Sequence, residues 1–161
     1  MAIKVGDRIP SVTLRHMTDS GIQSISTDEL FKGKKVVLFA LPGAFTPTCS
    51  AKHLPGFVAN ADAFKKKGID AIACLSVNDP FVMAAWGKDQ KVGDKVMMLA
   101  DGNADFAKAV GLTMDGSGYG MGTRSARYAM LVEDGVVKKL NVEAPGAFEV
   151  SSAEAMLREL Q

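Results

Sequence analysis

Cys49 is the residue best placed in this chain to do chemistry. It follows a β-branched and aliphatic run, Lys34–Leu41, and a loop, Pro42–Thr48. It opens a stretch in which Leu54, Phe57, Val58, Ala61 and Phe64 recur at helical spacing. The thiol therefore falls between the C-terminal end of a buried strand and the start of a helix, where ligands bind in open α/β sheets. Unpaired N–H groups and the helix dipole favour an anion there, so Cys49 is predicted to act as a nucleophilic thiolate. Thr46, three residues earlier, can donate or accept a hydrogen bond at the sulfur or its target, while Pro42 and Pro47 stiffen the loop. The plainer role for Thr46 or Thr48 is to cap the helix.

Other candidates group around this thiol. Arg127 begins a strand on the face shared by Ala129 and Leu131, whereas Arg124 is expected in the loop before pairing starts. A guanidinium at the end of an apolar stripe needs an anion. A thiolate or its oxyanion product would serve, and so would a carboxylate such as Asp79, Glu133 or Glu143. Cys74 lies mid-strand among apolar neighbours, where a thiol behaves as a small hydrophobe. To resolve an oxidised Cys49 it would need a Cα separation within about 7 Å, or local unfolding. His53 shares a helix face with Cys49 and invites a Cys/His dyad or half a metal site, but local packing or solvation on a kinked first turn explains it more simply. Two cysteines and two histidines are too few and too scattered for a four-ligand structural zinc site, and no metal is expected.

These side chains require a scaffold of alternating strands and helices. A second strand is predicted over Ile69–Val77, with Ile69, Ala71, Ala73, Leu75 and Val77 on one face and Ile72 and Cys74 on the other. Asp79 caps a helix that starts at Pro80 and runs to about Lys91. A strand near Lys95–Leu99, a helix near Ala104–Val110 and a glycine-rich loop follow; the loop lacks the Gly-Lys-Ser/Thr ending of a phosphate cradle. Asp134-Gly135 joins Arg127–Glu133 to Val136–Val142 as a hairpin, and Ala153–Leu160 closes the chain as a helix behind Ser151 or Ser152. Pro55 should kink the Cys49 helix, because its ring clashes with the Ala51 carbonyl. Trp86 is core or interface filler, and Pro-Gly-Ala-Phe, at 42–45 and again at 145–148, is too short to signal a structural repeat. The pattern predicts a single α/β domain over residues 1–161 with a mixed sheet.

Composition narrows the functional classes. Nineteen basic against 18 acidic residues give a net charge of +1, so neither nucleic acid nor an anionic membrane is an expected partner. The longest apolar run, Val36–Leu41, has six residues, against about 20 for a membrane span. With no apolar leader or lipidation box in view, the chain is expected in the cytoplasm, where cysteines stay reduced.

The string PGAFTPTCSAKHLPGF (42–57) resembles the peroxiredoxins, in particular their type II, or peroxiredoxin-5-like, branch, whose Pro-x-x-x-Thr/Ser-x-x-Cys pattern is met by Pro42, Thr46 and Cys49. The likeness extends through IKVGD (3–7), FKGKKVVLF (31–39), CLSVNDPFVM (74–83), Ala85-Trp86-Gly87, RSARYAM (124–130) and NVE (141–143). It implies a thioredoxin-like fold and reduction of hydrogen peroxide and organic hydroperoxides by Cys49 through a sulfenic acid, in antioxidant defence and redox homeostasis, with no cofactor. Thr46 would orient the reactants, Arg127 would steady the developing charge, Pro42 would shield the site, and Arg124 would support it. Some relatives carry a resolving cysteine near the C-terminus, and Phe148–Ser151 has none. Cys74 then stands as either a resolving or a structural thiol, and an external thiol, glutathione with glutaredoxin or thioredoxin, becomes the expected reductant. A homodimer through Phe45, Phe81 and the glycine-rich loop is a further implication. The residues alone leave two other classes open: a thiol–disulfide exchange protein, and a peroxide-triggered binding protein or chaperone.

Overall fold

The computed structural model describes residues 2–160. At its centre lies β3 (Lys35–Ala40), whose residues from Val36 onward are all buried, as an aliphatic run covered on both faces must be. It pairs in parallel with β4 (Ala71–Ser76) and antiparallel with β8 (Tyr128–Glu133). Outward from β4 come β5 (Met97–Ala100), parallel to it, then β1 (Thr13–Thr18) and β2 (Gly21–Ser26), both antiparallel to their neighbours. On the other side β9 (Val136–Val142) completes a seven-stranded mixed sheet of order β2-β1-β5-β4-β3-β8-β9.

Alternation along these strands divides the core into two layers. On one face Val37, Phe39, Cys74, Ala129 and Leu131 pack against Phe57, Phe64, Met83, Trp86 and Met156. Those side chains come from α2 (Leu54–Ala59), α3 (Ala61–Lys66), α4 (Pro80–Asp89) and α6 (Ala153–Glu159). On the other face Leu38, Ala73, Leu75, Leu99 and Met130 meet Phe31 of α1 (Thr27–Phe31) and Phe106 and Val110 of α5 (Asp105–Val110). Each large apolar side chain so buried stabilises the fold by about 1.5–3 kcal/mol. A mixed sheet covered by helices on both faces is the thioredoxin-like arrangement.

The turn between β8 and β9 puts Asp134 at φ 47° and Gly135 at φ 82°, the left-handed pair that matches the twist of the two strands. Asp79 accepts from the Val82 N–H and Ser152 from the Ala155 N–H, so both helix starts are capped as predicted. The β1–β2 hairpin and α1 come in addition to the expected elements. Three expectations are corrected. Arg124 is in a strand, not a loop: β7 (Thr123–Ser125) pairs with β6 (Thr113–Asp115), setting Arg124 opposite Met114. Ile69 precedes β4, closing the α3 turn onto the Phe64 carbonyl, and packs with Ile72 and Cys74 rather than on the opposite face. The predicted Pro55 kink takes the form of a π-helical turn over Cys49–His53, closed by the Leu54 N–H on the Cys49 carbonyl. Widening this turn accommodates a residue with no N–H to offer the preceding turn.

Candidate active site

The loop after β3 is tied at several points. The Leu41 N–H bonds the Leu75 carbonyl, and the Ala44 N–H and the Ser76 hydroxyl both donate to Asn78 Oδ1, at 2.9 and 2.6 Å. Arg124 donates from Nη1 to the Pro42 carbonyl (3.2 Å) and from Nε to the Met121 carbonyl (2.9 Å). A Cβ at Gly43 would come within 2.9 Å of Arg124 Nη1 and 3.2 Å of Thr46 Cγ2, so a larger residue here would displace the Arg124 guanidinium. Thr46 Oγ1 donates to the Gly43 carbonyl at 2.7 Å, which leaves its lone pairs free to accept. Trp86, fully buried, donates its indole N–H to Ser50 Oγ at 3.1 Å and so pins the π-helical turn next to Cys49. Thr48 makes no side-chain cap bond, so neither threonine does the capping that a bland reading of the sequence would give it.

Arg127 stands one residue before β8, which begins at Tyr128 rather than at the expected Arg127, and its side chain keeps to the face of Ala129 and Leu131, as the alternation predicts. Its guanidinium uses two arms: Nη2 donates to Cys49 Sγ at 3.2 Å, and Nη1 donates to His53 Nδ1 at 2.9 Å. Among the described residues the ion pairs are Lys4–Asp7 and Lys35–Glu133, so Arg127 is directed at the Cys49 sulfur rather than at a carboxylate. Its guanidinium also lies 5.8 Å from the centre of the Phe148 ring, a cation–π distance.

His53 is fully buried, with Phe39 and Phe148 ring centres each 5.0 Å from its own. Nε2 lies 2.9 Å from the Ser151 carbonyl, an acceptor, so Nε2 carries the hydrogen and Nδ1 is the lone pair that receives Arg127. Burial first, and then the Arg127 charge, push its pKa from 6.5 down to about 3. The imidazole thus stays neutral wherever the protein works, as the Arg127 bond requires. With both nitrogens engaged, His53 is neither a base for Cys49 nor a free metal ligand.

Both cysteines are free and fully buried. Burial pushes the Cys74 thiol well up, and the nearby Cys49 adds to the effect, so Cys74 remains protonated. The structure therefore gathers Pro42, Thr46, Cys49 and Arg127 at one place, sets Arg124 behind the Pro42 loop, and keeps Cys74 in the core. Sequence reasoning missed two contributors, Phe148 and Ser151, and the role of a third, His53. His53 lay on the right face, but its partner Arg127 is 74 residues away in the chain. Phe148 ends the second Pro-Gly-Ala-Phe and Ser151 follows it, and the return of this segment beside His53 has no local signal.

A family model described as Redoxin matches residues 4–157. Peroxiredoxin-2E of Arabidopsis thaliana, a chloroplastic protein, is 52% identical over 99% of this chain and 70% of its own length. Peroxiredoxin-2B of the same plant is 47% identical over 98% of each chain. Among solved structures, reduced Prx3 of Vibrio vulnificus in complex with hydrogen peroxide superposes with a TM-score of 0.96 at 55% identity over 99% of each chain. The chain belongs to the Redoxin family and, within it, to the type II peroxiredoxins, which are thiol peroxidases.

Proposed function

We propose that Cys49 is the peroxidatic thiolate of a one-cysteine cycle that reduces hydrogen peroxide and organic hydroperoxides. The Arg127 bond to Cys49 Sγ carries this reading, because it puts a fixed cation on the sulfur that must attack. In the forward step the thiolate attacks one peroxide oxygen along the O–O axis, an S–O bond forms, and the O–O bond breaks. The second oxygen leaves as hydroxide or alkoxide and takes up a proton. Thr46 accepts from the peroxide O–H, and Arg127, already oriented before reaction, stabilises charge passing between the oxygens. The Pro42 loop keeps the approach narrow, with Arg124 holding its carbonyl.

Cys49 is left as a sulfenic acid. A first external thiol displaces water to give a mixed disulfide, and a second releases Cys49 and an oxidised disulfide. Glutathione with glutaredoxin, or thioredoxin, fits that role in a reducing cytoplasm. Cys74, buried and held protonated, is a structural thiol in this scheme. Homodimerisation would cover Phe45, Phe81 and Tyr119, which are 53%, 65% and 86% exposed beside or near the site. The test is non-reducing mass spectrometry after one equivalent of peroxide, comparing wild type with Cys74→Ser. A Cys49 sulfenic acid in both, with Cys74 free, is expected. A Cys49–Cys74 disulfide confined to wild type would instead make Cys74 the resolving residue.

A further inference from the structure

Glu143 lies outside the reacting centre, yet a single oxygen of its carboxylate organises the segment behind it. Oε2 accepts from the backbone N–H groups of Glu149 (2.9 Å), Val150 (3.0 Å) and Ser151 (2.8 Å), and from the Ser151 hydroxyl (2.6 Å). Four donors converge on one anionic acceptor and wind residues 149–151 around it, a nest closed by the carboxylate. The product of that winding is the position of the Ser151 carbonyl, which is the acceptor for His53 Nε2–H. His53 in turn presents Nδ1 to Arg127, and Arg127 presents its second arm to Cys49. From the other end, the Glu143 N–H donates to the Arg127 carbonyl at 3.0 Å. Glu143 thus fixes both the backbone of Arg127 and, through two intermediates, the direction of its guanidinium.

We propose that Glu143 is a positioning residue for peroxide reduction, acting through the 149–151 turn and His53 to hold Arg127 at Cys49; this rests on Cys49 being the peroxidatic residue. The arrangement calls for an anion. Glu143 carries the charge readily, for although burial would raise its pKa, the Ser151 hydroxyl and the three backbone N–H groups bring it below the ordinary carboxylate value. Without that anion the three N–H groups repel one another and the turn opens. The Ser151 carbonyl then moves off His53. The imidazole loses the bond that selects its tautomer, and Arg127 loses the acceptor that keeps its other arm on sulfur. Among the described residues, the hydrogen bonds that link His53 to Cys49 run through Arg127.

The experiment measures the second-order rate of Cys49 oxidation by hydrogen peroxide, followed by Trp86 fluorescence, in Glu143→Ala, Glu143→Gln, Arg127→Lys and the double variant Glu143→Ala/Arg127→Lys. Folding at the assay temperature is checked by circular dichroism. The rate is expected to fall about tenfold to a hundredfold in Glu143→Ala, the range for losing one charge-assisted hydrogen bond in the transition state. Glu143→Gln, which keeps an acceptor oxygen, should recover part of it. In the Arg127→Lys background the Glu143→Ala change should cost little, because the path it acts through is already broken. A lower melting temperature with an unchanged rate would overturn the proposal, as would losses that simply multiply in the double variant. If Glu143→Ala does not fold, Glu143→Gln alone and on Arg127→Lys carries the same comparison. Peroxide consumption by Cys49→Ser would fail the underlying reading instead, which separates the two.

Discussion

Acid should destabilise this protein through His53. In the native state the ring is buried and bonded as a neutral species, with its pKa pushed from 6.5 to about 3. In the unfolded chain it titrates at its ordinary value. Between those values the unfolded state binds a proton that the native state refuses, so stability is fully present above about pH 6.5 and declines as the pH falls. The slope approaches about 1.4 kcal/mol per pH unit, and the loss between about pH 7.5 and about pH 5 comes to about 2 kcal/mol. That interval stays above the ordinary value of 4.5 for Glu143, whose lowered pKa adds a loss in the same direction at more acid pH. Asp101, raised by burial, acts with the opposite sign, so the His53 contribution is isolated by comparison with His53→Gln. Urea unfolding of both proteins at several pH values across this interval gives the difference directly. The variant is expected to be less stable at neutral pH but to lose about 2 kcal/mol less on acidification. Parallel pH dependences would refute the reasoning, for they would mean that the native ring accepts a proton as easily as the unfolded one.

Arg127→Lys is expected to lower the rate of Cys49 oxidation by peroxide by about a hundredfold while the protein stays folded, since one ammonium cannot serve both His53 and the sulfur as the planar fork does; stopped-flow kinetics at fixed peroxide would check it. Trp86→Phe removes the donor to Ser50 and leaves part of a buried volume unfilled, which should cost about 1–2 kcal/mol of stability in urea unfolding.

Much of the scaffold was legible because it follows local rules. The aliphatic run of β3, the Asp79-Pro80 helix start and the Asp134-Gly135 turn each declare themselves within a few residues, and each is where the pattern puts it. The site was legible to the extent that its chemistry is local: Thr46 and Cys49 share a turn, and the face of Arg127 follows from strand alternation. What supports Arg127 was not. Glu143, Ser151 and His53 meet only because β9 returns the chain beside the π-helical turn, and no periodicity encodes a contact set by the return of a strand. Pro55 showed the same limit in miniature. Its conflict with a regular helix was visible, but whether the chain would bend or widen depended on the packing of Leu54 and Phe57, both fully buried.

The complete burial of Cys49 bears on the timing of the cycle. In the proposed cycle a peroxide is small enough to reach the sulfur through a narrow approach, but the sulfur of a protein reductant must reach Cys49 in line, and that requires the π-helical turn to open. Reduction is then the gated half-reaction of the proposed cycle. As reductant is added, turnover should climb to a plateau set by how often the turn opens, and chemically different reductants should converge on the same plateau.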